Sequence, residues 1–295
     1  MSYKIAVVII THNGEKWIQK CLESVLKSSV SVDVFVIDNA STDETALILN
    51  EFKNINFEIS SQNSGFGKAN NIVLKKVINL GYNCFFLLNQ DTWIEEDTIE
   101  KLIIQQKNNP AFGIISPLHF DAAFEKLDLN FANYFSKKVQ ITQHLFEVPF
   151  VNAAAWLISA ACFTKAGLFE PFFSHYGEDR NFSDRAHFHG FKIGIVDNAK
   201  IVHDRTIIRK FEKDLQQSKY IILNTLININ FSIYRSFFIA LKQVFGLPKY
   251  FYNFYKFREF LIMQCNLILY FIKSIFNFTQ INNIRRQSVR GKNGI

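Results

Sequence analysis

Cys84-Phe-Phe-Leu-Leu-Asn-Gln-Asp-Thr-Trp93 is the stretch that decides the fold of this chain. Residues 84–88 form an unbroken apolar run, which is too short for a helix and suits a strand buried on both faces. The run ends in a polar triplet, residues 89–91, and an acid-rich helix signal follows from Thr92. Open α/β sheets bind ligands at the carboxyl ends of their strands. The stretch therefore predicts either a ligand or metal site or a plain turn with capping residues.

Apolar runs of the same kind recur before and after this stretch. They predict strands at residues 4–10, 32–37, 57–59, 112–115 and 193–196, with helical periodicity between most of them. Strands that alternate with helices through short polar turns form a mostly parallel sheet with helices on both faces. The polar residues that follow the strands are then expected along one edge of the sheet; they are Thr11, Asn13, Asp38, Asn63 and Asp91.

The composition indicates a packed globular protein whose charge is unevenly distributed. Hydrophobic residues make up 48% of the 295 residues, and the four cysteines include no CxxC pair. Neither a disulfide framework nor a zinc site is indicated, which favours a reducing compartment. Residues 1–205 carry 19 Lys and Arg against 23 Asp and Glu, whereas residues 206–295 carry 14 against 3. This shift predicts a boundary near residue 205, between one domain at 1–205 and a separate C-terminal region at 206–295.

Four motifs occur in a fixed order in the N-terminal part. They are Val7-Val-Ile-Ile-Thr-His-Asn-Gly14, Cys21-Leu-Glu-Ser-Val25, Val36-Ile-Asp-Asn-Ala-Ser-Thr-Asp43 and Asn63-Ser-Gly-Phe66. Together they resemble glycosyltransferase family 2, whose members are inverting enzymes of GT-A fold. The resemblance covers about residues 4–204 and implies an α/β GT-A fold, with a mostly parallel nucleotide-binding sheet flanked by helices.

The resemblance implies a nucleotide-sugar site at the predicted edge. In the family, the first turn and the acid after the second strand hold the nucleotide, and Asp38 would accept a hydrogen bond from the base imide. The D-x-D signature of the family falls on residues 89–91, where an amide replaces the first acid, and Asp91 is the expected ligand of Mg²⁺ or Mn²⁺. The other donor-binding residues that the resemblance implies are Thr11, Asn13, Asn63, Gly65, Asn89, Gln90 and Trp156, the last on a strand that walls the donor sugar.

A second chemical centre is expected at Tyr176-Gly-Glu-Asp-Arg180. In the family the matching stretch begins a helix, and its Asp is the general base, which is Asp179 here with Glu178 beside it. Adjacent side chains on a helix point about 100° apart, so only one of the two can face the sugar. From the residues alone, simple complementation of a helix N-terminus is the favoured interpretation of the pair. His203 resembles a family residue that reaches the metal or diphosphate, although a lone His is as often a bystander.

Residues 206–295 change to aromatic, basic helices, predicted at 220–245 and 250–278. The longest apolar run, 260–272, is shorter than the roughly 20 residues that a membrane span needs. Lys and Arg together with Phe and Tyr at helical spacing predict interfacial helices on an anionic leaflet. A helical cap on the catalytic domain and a dimer contact are the alternatives. Nucleic acid is not an expected partner, because no nucleic-acid-binding fold is recognised.

The sequence thus predicts a metal-dependent, inverting glycosyltransferase that is cytoplasmic and peripheral on the inner face of the cell membrane. Its partners would be a nucleotide-sugar donor and a glycan or polyprenyl-linked acceptor used in cell-surface polysaccharide synthesis. The N-x-D-T pattern at residues 89–92 resembles rhamnosyltransferases of the family, which use dTDP-L-rhamnose. The alternatives are a nucleotidyltransferase that acts on sugar phosphates and, because of Asn89, a catalytically degenerate nucleotide-sugar-binding scaffold subunit.

Overall fold

The N-terminal part of the chain folds around a ten-stranded sheet. The computed structural model describes residues 3–205 and 209–291. The strands are β1 (Ile5–Thr11), β2 (Asp33–Asp38), β3 (Asn56–Ile59), β4 (Cys84–Asn89), β5 (Thr92–Ile94), β6 (Phe112–Phe120), β7 (Val139–Gln140), β8 (Leu145–Glu147), β9 (Ala155–Ser159) and β10 (Lys192–His203). The helices are α1 (Ile18–Leu26), α2 (Thr45–Glu51), α3 (Phe66–Val77), α4 (Thr98–Asn108), α5 (Leu129–Phe135), α6 (Ala160–Ala166), α7 (Glu178–Phe188), α8 (Phe211–Ile227), α9 (Ile233–Phe251), α10 (Phe257–Phe276) and α11 (Phe278–Arg290).

The strand order is β3-β2-β1-β4-β9-β6-β10-β8-β7, with β5 paired to β10. Strands β3, β2, β1 and β4 are parallel to one another, and β10 is parallel to β6. Strand β9 lies antiparallel between β4 and β6. The predicted parallel half of the sheet is confirmed, and the sheet as a whole is mixed.

Helices cover both faces of the sheet, because the central strand β4 has apolar side chains on both faces. In β4, Phe85 and Leu87 belong to the core on one face, and Cys84, Phe86 and Leu88 belong to the core on the other. Alternate residues of a strand point to opposite faces, so an unbroken apolar strand needs a hydrophobic layer on each side. All five side chains are buried, which confirms the doubly buried strand predicted from this run.

The C-terminal helices form a cap with its own hydrophobic core. This core contains Met263, Leu267 and Phe271 from α10, and it also includes Phe173 from the N-terminal part of the chain. The cap is held to α7 by polar contacts as well, because Asp184 Oδ2 accepts hydrogen bonds from the amides of Asn224 and Asn228. The structure therefore shows a helical cap packed on the part of the chain that contains the sheet. The proposed boundary between residues 205 and 206 adjoins 206–208, which lie outside the described residues.

Two helices of the cap differ from the sequence prediction. The predicted helix at 220–245 is divided, since α8 ends at Ile227 and α9 begins at Ile233, where Ser232 Oγ accepts the N–H of Arg235. Helix α10 extends beyond the apolar run 260–272 on both sides and reaches 20 residues, and an 18-residue window within it has a mean hydropathy of 1.4. The whole helix is long and apolar enough to cross a membrane, by length and composition alone. Its uninterrupted apolar run, 260–272, is shorter than the roughly 20 residues that a span needs.

Candidate active site

The polar residues predicted at one edge of the sheet are brought together there. Thr11 stands opposite Asp38 in the β1–β2 pair, and Ile10 stands opposite Asn89 in the β1–β4 pair. Because these strands are parallel and in register, their carboxyl ends meet at one edge. The edge that was predicted from polar turns is therefore present in the fold.

The turn after β1 is shaped by the side chain of Gln90. Its Oε1 accepts the Thr11 hydroxyl at 2.6 Å and the N–H of His12 at 2.8 Å, and its amide donates to the His12 carbonyl at 3.2 Å. A Cβ at Gly14 would lie 2.4 Å from Thr11 Oγ1, so the turn needs a glycine there. Thr11 is fully buried. Thr11 and Gln90 therefore hold the shape of this turn, and their contact with the donor stays a prediction.

Asp38 has the environment expected of a residue that binds a nucleobase. It is fully buried, and its Oδ1 accepts the N–H of Ser41 at 3.0 Å. Its Oδ2 has no partner among the described residues. A buried carboxylate oxygen without a donor is costly, and the N–H of a base would satisfy it. Asn13, at a φ of 48°, accepts the N–H of Thr42 and so ties the first turn to the loop after β2.

Gly65 is required by close packing against the loop that precedes α7. Its φ is 81°, and a Cβ there would lie 1.6 Å from the carbonyl oxygen of Ser174. Asn63 Oδ1 accepts the N–H of Gly65 at 3.0 Å and the amide of Asn39 at 2.9 Å. These contacts bring the start of α3, the loop after β2 and the loop before α7 into one region. The predicted residues Asn63 and Gly65 lie at their junction.

The two residues predicted to bind a metal lie side by side. Asp91 Oδ2 is 3.5 Å from His203 Nε2, and the Asp91 carbonyl accepts the N–H of Asp204 at 2.8 Å. His203 is nearly fully buried, and its Nδ1 has no partner among the described residues. A carboxylate and a neutral imidazole are suitable ligands for Mn²⁺.

The described residues contain no group of three His, Cys, Asp or Glu side chains that could hold a metal ion. Asp91 and His203 thus fit a shared cation only if other ligands complete its shell. A nucleotide diphosphate and water supply such oxygens for Mg²⁺ in many sites. Asn89 belongs to the same strand end, where its N–H is bonded to the carbonyl of Ala154 at 2.9 Å.

Three residues beside His203 were not singled out from the sequence. The rings of His119 and His203 are 6.0 Å apart, and His119 Nε2 lies 3.0 Å from Ser116 Oγ. Burial, together with the nearby His203, lowers the pKa of His119 well below its usual range. Arg205 forms a two-pronged pair with Asp128, with N–O distances of 2.9 and 2.7 Å. Nothing in the spacing of these residues links them before the chain is folded.

Glu178 and Asp179 begin α7 and face different neighbours. Asp179 accepts the N–H groups of Arg180 and Ala153, and Ala154 in turn accepts the N–H of Asn89. Asp179 is therefore linked to the end of β4 through the backbone of Ala153 and Ala154. Glu178 instead packs toward α3, because a Cβ at Gly67 would lie 3.4 Å from its Cβ.

The two carboxyl groups also differ in their electrostatic surroundings. Burial raises the pKa of Asp179, and the N–H of Arg180 acts in the opposite direction. Burial, and then the charge of Asp179, raises the pKa of Glu178 to about 7. The Oε2 of Glu178 has no partner among the described residues. Asp179 is the one of the two that lies beside the strand end, and reach to the reacting groups is the first requirement for a general base.

Trp156 is not where the sequence prediction put it. Its side chain is fully buried in the hydrophobic core, with its ring 6.1 Å from that of Phe182. It lies on β9 opposite Leu87 of β4, inside the sheet, and a sugar could not reach it without rearrangement. The predicted contact of Trp156 with the donor sugar is therefore corrected to a role in core packing.

Comparisons with known proteins identify the family of this chain. The chain matches the glycosyl transferase family 2 model over residues 6–163. Glycosyltransferase GlyA of Streptococcus pneumoniae is 26% identical over 177 residues, which are 57% of this chain and 25% of GlyA. The poly(ribitol-phosphate) beta-N-acetylglucosaminyltransferase TarS of Staphylococcus aureus is 29% identical over 104 residues, which are 33% of this chain and 18% of TarS. This chain thus spans a quarter or less of the length of these two relatives.

Solved structures show the same fold. Staphylococcus aureus TarS 1-349 in complex with UDP-GlcNAc superposes with a TM-score of 0.65 at 16% identity, over 98% of this chain and 89% of that one. The mannosyltransferase PcManGT from Pyrobaculum calidifontis, in complex with GDP-Man and Mn²⁺, gives 0.58 at 13% identity, over 98% and 86%. The predicted GT-A fold with a C-terminal helical extension is confirmed. Since the family model covers more than half of the chain, this protein belongs to glycosyltransferase family 2.

Proposed function

We propose that this protein is a metal-dependent, inverting glycosyltransferase. It moves a sugar from a nucleoside-diphosphate sugar to a hydroxyl of a glycan or polyprenyl-linked acceptor in cell-surface polysaccharide synthesis. The observation that carries the proposal is the position of Asp179, which connects through Ala153 and Ala154 to the strand end that precedes Asp91. A candidate base and a candidate metal-binding pair therefore both lie near the carboxyl end of β4. The names of GlyA and TarS support sugar transfer as the reaction class.

The chemistry is a single displacement at C1 of the donor sugar. The acceptor oxygen forms a bond to C1 while the bond from C1 to the diphosphate oxygen breaks, and the configuration at C1 inverts. Asp179 takes the proton of the acceptor hydroxyl as this happens. The first turn and Asp38 hold the nucleotide, which turns a bimolecular encounter into a positioned reaction.

Asp91 and His203 would hold the cation, with the donor diphosphate as a further ligand. When bound, Mg²⁺ or Mn²⁺ supplies Lewis-acid stabilisation of the charge that develops on the leaving diphosphate. The proposed roles of Asp179 in proton transfer and of Asp38 in nucleotide binding do not depend on the cation. The ring of His119 lies nearly perpendicular to that of His203, with the ring centroids 6.0 Å apart.

The donor is a nucleotide sugar whose base donates a hydrogen bond to Asp38. Both uracil and thymine carry such an N–H, so UDP-sugars and dTDP-L-rhamnose fit the same contact. The complex of TarS with UDP-GlcNAc supports the first, and the N-x-D-T pattern at residues 89–92 supports the second. A thermal-shift screen of UDP-, dTDP- and GDP-sugars with Mn²⁺ ranks them, because a ligand at 100 times its Kd stabilises by about 2.7 kcal/mol.

The function is tested by product analysis with a cell-envelope extract as the acceptor source. Release of nucleoside diphosphate that requires both donor and extract is the expected result, and Asp179→Asn should abolish most of it. Release of pyrophosphate from a nucleoside triphosphate and a sugar phosphate would instead identify a nucleotidyltransferase. Donor binding without release under any acceptor condition would favour the scaffold alternative suggested by Asn89.

A further inference from the structure

Helix α10 carries an exposed apolar stripe along its whole length. The stripe consists of Leu261, Cys265, Leu269, Ile272 and Phe276, whose spacing places them on one face of a helix. Leu269 is 66% exposed and Phe276 is 85% exposed, although both are large apolar side chains. A continuous apolar face of this kind on a folded protein marks an interaction surface.

The opposite face of α10 is committed to the core of the cap. Met263, Leu267 and Phe271 are buried there against α8 and α9. A helix that crossed a bilayer would have to leave these partners and break the cap. The stripe can therefore contact the apolar interior of a bilayer only if α10 lies parallel to the bilayer surface.

Basic side chains surround the stripe. Lys256 and Arg258 stand at the start of α10, and Lys273 is exposed near its end. The neighbouring helix α9 exposes Phe238 and Phe245 together with Lys242 and Lys249, again at helical spacing. The region 206–295 carries 14 Lys and Arg against 3 Asp and Glu. The surface thus combines apolar side chains with a strong positive charge.

This combination decides between the two occupants that an apolar face could have. A second copy of the chain would bring an equally positive surface against the first, and the like charges would repel. An anionic bilayer offers both an apolar phase for the stripe and negative head groups for the cations. An apolar cavity of about 250 Å³ also opens beside the end of α10, lined in part by Tyr234, Ile275 and Phe278, and an acyl chain could fill it.

We propose that the stripe of α10 and the cations around it dock the protein on an anionic lipid surface, with α10 lying in the plane of the interface. Each Lys or Arg near such a surface strengthens binding about fivefold, which is about 1 kcal/mol, so a few of them suffice at low salt. The apolar stripe adds a contribution that salt does not screen. Docking of this kind is independent of sugar transfer, and its test needs neither donor nor acceptor.

The chain supplies its own probe for the experiment. Cys265 lies in the stripe and is exposed, whereas Cys21, Cys84 and Cys162 are buried. An environment-sensitive fluorophore on Cys265 should shift to the blue on vesicles of phosphatidylcholine and phosphatidylglycerol in equal parts, and hardly at all on phosphatidylcholine alone. Lipids brominated near the head group should quench it more strongly than lipids brominated near the chain ends.

A matched pair of substitutions isolates the stripe. Leu269→Glu should weaken vesicle binding by about 10-fold to 100-fold, since burial of a leucine contributes about 1.5–3 kcal/mol. Leu47→Glu places the same charge on an equally exposed leucine of α2, at 67% exposure, and should leave binding unchanged.

Three results would overturn the proposal: no blue shift on anionic vesicles at low salt, equal binding of Leu269→Glu and the unsubstituted protein, or a shift that follows protein concentration without vesicles. The last of these would identify a dimer contact. Strongest quenching by lipids brominated at the chain ends would contradict the in-plane orientation.

Discussion

Asp91 and His203 lie 3.5 Å apart, carboxylate Oδ2 to imidazole Nε2, although they come from β-strand regions far apart in the chain. Antiparallel pairing of β5 with β10 creates this contact, because it sets His203 directly opposite Thr92. Two protein ligands leave most of the coordination shell of a divalent cation to other donors. We therefore expect Mn²⁺ to bind weakly to the protein alone and more tightly when a nucleoside diphosphate is present.

Calorimetric titration of Mn²⁺ with and without UDP or dTDP measures this coupling. By linkage, Mn²⁺ must tighten nucleotide binding by the same factor, which gives an internal check. Asp91→Ala and His203→Ala should each abolish the coupling. His144→Ala is the matched control, because His144 also pairs with a carboxylate, that of Asp197 at 2.9 Å. Equal Mn²⁺ affinity with and without nucleotide would contradict a shell shared with the diphosphate.

Asp38 should be the main determinant of nucleobase binding. Its buried, unpartnered Oδ2 is the acceptor that a base N–H would meet. A hydrogen bond to a charged group contributes about 1.5–3 kcal/mol, so Asp38→Asn should weaken nucleotide binding by about 10-fold to 150-fold. Asp33→Asn changes the acid at the other end of the same strand and should leave nucleotide affinity unchanged. Equal losses in the two variants would assign the effect to the strand and not to the base contact.

Glu178 should make the stability of the protein depend on pH. Its pKa is raised from 4.5 to about 7, so the folded chain holds this proton more tightly than the unfolded chain does. The free energy of unfolding therefore falls as the pH rises from about 4.5 to about 7, by roughly 3 kcal/mol at most. Glu178→Gln removes the charge and should raise Tm at pH values above 7 but not below 4.5.

Glu212→Gln, at an exposed position in the first turn of α8, is the control for the same substitution at a helix start. Melting curves of both variants and the unsubstituted protein across this pH range measure the effect. A gain of equal size at low and high pH for Glu178→Gln would show that burial of the charge is not its cause.

Tyr220 should couple the cap to catalysis. Its hydroxyl accepts the N–H of Ser174 at 3.0 Å, and Ser174 also lies against Gly65 at the start of α3. The loop that leads into α7 is thus held between the cap and the nucleotide side of the site. Tyr220→Phe should lower the free energy of unfolding by about 0.5–1.5 kcal/mol, because it removes this hydrogen bond to Ser174, which is itself exposed. It should also reduce kcat by loosening the loop before Asp179.

Tyr82→Phe is the matched control, since Tyr82 is an equally buried tyrosine whose hydroxyl donates to Asp33 at 2.7 Å, away from the site. Tyr82→Phe should lower the free energy of unfolding by an amount similar to that of Tyr220→Phe, but it should leave kcat unchanged. Thermal melts and turnover of the two variants separate the effects. Unchanged kcat in Tyr220→Phe would confine the cap to a stabilising role.

The parallel half of the sheet could be predicted because each of its strands is a short apolar run that ends in a polar turn. Asp38 and Asp91 were found in the same way, since a carboxylate at such an end has few structural reasons to be there. Thr92 shows the limit of this reasoning. An acid-rich segment after it predicted a helix from residue 92, but pairing with β10 makes Thr92–Ile94 a strand and delays α4 to Thr98.

Side-chain direction was the part that sequence could not supply. Trp156 lies on an apolar strand, and an apolar strand can face a cleft or a core. Only the position of β9 between β4 and β6 decides that it faces the core. Likewise, nothing in the sequence links Asp184 to Asn224, because their contact depends on how α8 docks on α7.

The account depends most on Asp179 as the base that activates the acceptor hydroxyl. The most direct test is the rate of acceptor-dependent release of nucleoside diphosphate by Asp179→Asn, by Glu178→Gln and by the unsubstituted protein, with donor affinity measured for each. We predict that Asp179→Asn slows turnover by about 10²-fold to 10⁴-fold while donor affinity is retained. Near-normal turnover in Asp179→Asn, with a large loss in Glu178→Gln, would contradict the account and assign the base to Glu178.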